Sequence, residues 1–164
     1  MRKLFVIIAF LSIMLSLYTP ASALSNPLDK CYEDAEILFF DDGSYLITTL
    51  SDNSKNNAYN VAAITIPKIG TKTADYYSNS GELLWRYTLV GEFNVVNGVS
   101  AVCTNATSNQ TINSSSWGFY DEDTYVQNNV AKGKGVFKKK VLLVTLETID
   151  IDLTISCDEY GNFS

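Results

Sequence analysis

Histidine is absent from all 164 residues, which removes the usual general base of serine and cysteine hydrolases and the commonest zinc ligand. Cysteine is scarce. The three present, Cys31, Cys103 and Cys157, lie far apart and form no Cys-x-x-Cys pair, so neither a structural zinc site nor a thioredoxin-like redox site has support. Carboxylates alone would have to serve any metal chemistry. A sustained 3.6-residue apolar stripe is also missing, which argues against long amphipathic helices. The single long apolar run, Leu4 to Leu17, has 14 residues, short of the roughly 20 that cross a bilayer.

That run completes an export pattern. Arg2 and Lys3 precede it, Pro20 ends it, and the small-residue tripeptide Ala21-Ser22-Ala23 follows, the three parts of a secretory signal peptide. Residues 1–23 are therefore expected to be a cleaved leader, with no membrane-spanning segment left afterwards. Residues 24–164 are expected to be one secreted β domain, large enough to bury a core. Loss of Arg2 and Lys3 leaves 10 basic side chains against 18 acidic, a net charge of −8. Nucleic acid and anionic partners in general are disfavoured by that charge. Against it stands one basic cluster, Lys132, Lys134, Lys138, Lys139 and Lys140, interrupted by Gly133 and Gly135, which reads as a solvated turn.

β-Branched and aromatic residues dominate the runs between Gly, Asn, Asp and Ser clusters, so the chain reads as strands and turns. Ile149 to Cys157 alternates apolar and polar for nine residues, one face core and the other water. The preceding run, Val141 to Leu146, is apolar throughout and has the opposite parity at Leu142, Val144 and Leu146. A bulge is expected near Glu147 and Thr148. Asp42-Gly43 and Asn97-Gly98 are hairpin signals, and Ser78 to Gly81 is a further turn. Pro67 is expected to end a strand over Val61 to Ile66. Ser51 to Asn57 and Thr104 to Ser116 are expected to be loops. The second holds acceptor patterns at Asn105, Asn109 and Asn113 that such a composition generates readily. A short helix is expected around Asp29 to Ala35. The fold class is all-β, a single antiparallel β-sandwich, with a small closed β-barrel as the alternative.

Cys103 and Cys157 each end a strand-like run, so they are the expected disulfide. Closing that loop of about 54 residues would stabilise by ~4 kcal/mol. Three reduced thiols are the alternative, since connectivity is not readable from spacing.

The acidic clusters Asp41-Asp42 and Asp121-Glu122-Asp123 are expected in turns, where carboxylates are mostly solvated; a glycosidase-like pair among them is the rival reading. Aromatic residues are the better binding hint. Trp117, Trp85 and Tyr120 are candidate ligand contacts, although Trp85 shares a strand face with Leu83, Tyr87 and Leu89 as a core row would. A glycan-stacking role requires Trp117 or Trp85 to be at least half exposed.

The segments Thr71-Lys72-Thr73, Tyr76-Tyr77, Gly81, Trp85, Gly91-Glu92-Phe93 and Cys103-Thr104, with the tail Leu153 to Asp158 and Gly161-Asn162, resemble small secreted proteins of Gram-positive bacteria. The resemblance implies bacterial export, a β-rich fold and the Cys103–Cys157 pairing, and no activity, substrate or cofactor. The expectation is a non-catalytic extracellular or cell-surface binding module for a glycan or protein, needing no cofactor. The alternatives are a secreted carboxylate-based hydrolase and a structural or inhibitory protein acting through the 104–116 loop.

Overall fold

A computed structural model of the chain describes residues 35–54 and 65–164. The expected leader, Cys31, residues 61–64 of the expected strand over Val61 to Ile66 and all but the last residue of the expected helix lie outside the described residues.

Among the described residues eight strands follow one another: β1 (Ala35–Phe39), β2 (Tyr45–Asp52), β3 (Thr65–Tyr77), β4 (Leu83–Val96), β5 (Ser100–Ile112), β6 (Trp117–Gln127), β7 (Val130–Val141) and β8 (Val144–Ser156). β1-β2-β3-β4-β5 form one antiparallel sheet and β6-β7-β8 another, each strand pairing with its neighbour in sequence. The fold is all-β and consistent with a sandwich; neither sheet closes into a barrel.

The core comes from alternation on strands of both sheets, β4 lying over β7 and β8 over β3. Trp85, Tyr87, Leu89, Phe93 and Val95 of β4 are buried, as are Ile149, Ile151, Leu153 and Ile155 of β8. In both strands the intervening residues face out, as the period of two requires. The expected bulge before Ile149 is present: Lys139 opposes Glu147 but Lys140 opposes Thr145, so Leu146 is the extra residue. Asp42-Gly43 and Asn97-Gly98 lie in hairpin connections, with Gly43 at φ +82° and Gly98 at φ +69°.

Four expectations are corrected. The lysine cluster is not a turn: it is most of β7, with Ala131, Gly133, Gly135 and Phe137 inward and buried. Its glycines are space-savers. A Cβ on Gly133 would stand 2.9 Å from Leu89 Cδ1 and 3.1 Å from the Tyr87 hydroxyl. Residues 104–112 are strand rather than loop, paired with β4 from Trp85↔Ile112 to Glu92↔Asn105. β5 is polar because it is an edge strand whose inward side chains cross to β6: Ser108 meets Glu122 and, at 2.6 Å, Thr124. Asp121 to Asp123 lie within β6 rather than in a turn. Pro67 lies inside β3, opposite Asn94 of β4. β2 stops pairing at Gly70, so among the described residues Pro67 occupies a stretch with a strand on one side only.

The expected disulfide is also corrected. Cys103 and Cys157 are buried free thiols, and each sulfur turns to a local carbonyl. Cys103 Sγ donates to Asn105 O at 3.3 Å and Cys157 Sγ to Asp158 O at 3.6 Å. Burial pushes the Cys157 thiol up to about 11 and raises Cys103 as well, which keeps both protonated and poorly nucleophilic.

Candidate functional site

Of the three aromatic candidates, two are core. Trp85 is 0% and Trp117 6% exposed. Trp85 stacks on Phe137 at 3.9 Å and on Tyr76 at 5.0 Å, and meets Trp117 edge to face at 6.1 Å. Neither indole presents a face to solvent, so stacking of a sugar on Trp85 or Trp117 is overturned. Tyr120 is different. The β6–β7 register passes from Phe119↔Phe137 to Asp121↔Val136, which leaves Tyr120 on the bulge, 47% exposed. Lys138 Nζ lies 5.2 Å and Lys140 Nζ 4.2 Å from its ring centroid, a double cation–π contact.

Behind that face a polar chain ties the two sheets together. Ser44 hydrogen-bonds Asp42 through its Oγ (2.5 Å) and its backbone N–H (3.0 Å), which holds the Asp42 carboxyl below the usual carboxylate range. The Ser44 hydroxyl also meets the Tyr76 hydroxyl at 2.7 Å, and Tyr76 donates to Glu147 Oε1 at 3.1 Å. Lys139 reaches Glu147 at 3.9 Å. Burial, with the Glu147 carboxylate beside it, pushes Tyr76 up to about 12.

An alkaline loss of stability follows from these groups. Cys157, shifted from 9.0 to about 11, and Tyr76, shifted from 10.0 to about 12, bind protons more tightly folded than unfolded. Their contribution is complete below the unfolded value and lost as pH rises through the folded one. The urea midpoint is expected to fall between pH 9 and 12. Tyr76→Phe should cost about 1–2 kcal/mol at neutral pH and flatten the upper part of that fall. An unchanged upper slope in Tyr76→Phe would contradict the assignment.

The chain breaks its own pattern at the next turn. β7 and β8 are joined by Leu142 and Leu143 alone, closed by the Val141↔Val144 pair. Leu142 has φ +57°, in the left-handed region that costs a non-glycine residue roughly 1–2 kcal/mol. A positive φ at the first turn position and not at the second is the sign pattern of a type II′ hairpin, whose first position favours glycine. Both leucines stand in solvent, 94% and 97% exposed, flanked by Val141 at 52%, Val144 at 60% and Leu146 at 60%. β6 stops pairing at Trp117, opposite Lys139, so the hairpin projects beyond its neighbour. Leu146 also lines a depression with Phe40, Asp41, Asp42, Lys139 and Glu147.

This apolar tip was legible in part: Val141 to Val144 is a run of four apolar residues directly after three lysines. Reading it as continuous strand hid the turn, because no Gly, Asn or Pro marks it.

On the outer face of β6-β7-β8, Asp121, Asp123, Asp150 and Asp152 flank Lys134 and Val136 in a shallow depression, and Lys134 reaches Asp152 at 3.6 Å. The acidic clusters Asp41-Asp42 and Asp121 to Asp123 line different depressions. Among the described residues, no group of three or more Cys, Asp or Glu could hold a metal ion, and no helix is long and apolar enough to cross a membrane.

Fold and surface together define an antiparallel β-sandwich with a projecting, lysine-backed apolar hairpin. Comparison with protein-family models, curated proteins and solved structures gives no match.

Proposed function

We propose that this is an exported, non-catalytic binding module whose contact surface is the β7–β8 end. One observation carries the reading: two leucines are almost fully exposed at a two-residue turn where Leu142 is held at φ +57°. Local propensity and burial both disfavour leucine there, and residues that break local rules without a packing gain mark function. Export rests on the three-part pattern of residues 1–23.

The test replaces the tip with the residues that the turn favours, Leu142→Gly with Leu143→Ser. Relief of the strained φ is expected to raise stability by about 1 kcal/mol, measured by urea unfolding. In pull-downs against wall polysaccharide, membrane and extracellular protein fractions, the wild-type protein should be retained by one fraction and the variant released. Retention of both to the same extent would remove the tip from the binding surface.

A further inference from the structure

The kind of partner that fits the tip follows from its shape and from the charges behind it. Val141, Leu142, Leu143 and Val144 form a convex prow exposed on all sides. A protein partner would need a matching apolar pocket for such a shape. A fluid bilayer needs none, because acyl chains close around whatever enters.

The spacing behind the prow has the same sense. At roughly 3.3 Å per strand residue, Lys140 and Lys138 lie ~7 and ~13 Å back from Leu142 along β7. Those depths bracket the headgroup layer when apolar residues sink ~5–10 Å into the acyl boundary. Tyr120 lies against both ammonium groups, with about half its surface free, and tyrosine is the amphipathic ring that settles at headgroup level. Among the described residues, neither Lys138 nor Lys140 has a carboxylate partner; the nearby acids Glu147 and Asp42 gather around Lys139, which lies between them in β7 and alternates to the other face of the strand. Two unneutralised cations directly behind an apolar tip select a surface of negative charge, although the exported chain as a whole carries a net charge of −8, 10 basic side chains against 18 acidic.

From this arrangement we infer that the hairpin docks the protein on an anionic lipid bilayer, Leu142 and Leu143 entering the acyl boundary while Lys138 and Lys140 meet lipid phosphates. The inference rests on the tip being the contact surface. Insertion is shallow, because β8 is an edge strand whose free backbone groups must stay hydrated.

Co-sedimentation with vesicles tests it, comparing phosphatidylcholine alone with an equal mixture of phosphatidylcholine and phosphatidylglycerol. The wild-type protein should pellet with the mixed vesicles and not with the neutral ones. Leu142→Gly with Leu143→Ser should weaken binding by roughly 30-fold or more. Lys138→Gln with Lys140→Gln should weaken it by roughly 25-fold, and high salt should act in the same direction. Circular dichroism melts of both variants confirm that the fold is kept. Absence of binding to the mixed vesicles, with tip-dependent retention on a polysaccharide or protein fraction, overturns the lipid inference and leaves the contact surface standing. Vesicle binding that the tip variant retains in full overturns both.

Discussion

Trp85→Ala is expected to lower the free energy of unfolding by about 3–5 kcal/mol, a large share of the ~5–15 kcal/mol available to a domain of this size. Trp85 is fully buried, stacked at 3.9 Å and 6° on Phe137 of the opposite sheet and at 5.0 Å and 19° on Tyr76 of its own. Its removal opens a cavity where rings of both sheets interleave: Phe137 and Tyr76 each lose a stacked partner, and Trp117 loses an edge contact. The β backbone cannot collapse into the gap without breaking ladders on either side. Trp85→Phe should cost much less, because the Trp85 Nε1 is buried without an acceptor and phenylalanine removes that orphaned donor. Urea unfolding followed by circular dichroism measures both, with the midpoint falling and the slope unchanged. A loss under ~1 kcal/mol for Trp85→Ala would mean that the ring stack is not the centre of the core.

Gly133→Val is expected to destabilise by about 2–3 kcal/mol, from overpacking rather than from a void. The first added carbon already stands 2.9 Å from Leu89 Cδ1 and 3.1 Å from the Tyr87 hydroxyl, which donates to Lys134 O at 3.0 Å. Relief requires the sheets to part or Tyr87 to surrender that hydrogen bond while its ring stays buried. The informative control is Gly98→Ala, at φ +69° with its nearest neighbour 3.9 Å away, which pays only for backbone strain, about 1 kcal/mol. Equal losses at the two positions, by the same urea measurement, would show that Gly133 is not a contact between sheets.

Where burial decides structure, the sequence was readable. The odd positions from Ile149 to Cys157 and the row Trp85, Tyr87, Leu89 are core because period two and apolarity coincide there. The misread segments are those in which pairing overrides composition. Thr104 to Ile112 has the polarity of a loop, yet β4 supplies a long template and polar side chains across the gap to β6 suffice. Gly133 and Gly135 look like turn residues in isolation. Only the facing Leu89, Tyr87 and Phe119 reveal that their missing side chains are the point. Trp117 was ambiguous because its polar approach through Ser114 to Ser116 says nothing of the Tyr76 and Trp85 rings waiting on the other sheet. The contact surface was hidden for the opposite reason: Leu142 and Leu143 carry no turn chemistry, so nothing local separates an exposed tip from a buried strand.

The strictly sequential ladder order has a kinetic consequence. Among the described residues every hydrogen-bonded pair of strands is adjacent in the chain, so each ladder forms between near neighbours and costs little entropy before its contacts form. A chain emerging N-terminus first can zip each new strand onto the one just delivered and hold no unpaired partner in waiting. The single non-local event is the docking of the finished β6-β7-β8 sheet over β4, and that late step is where Trp85 and Phe137 first meet.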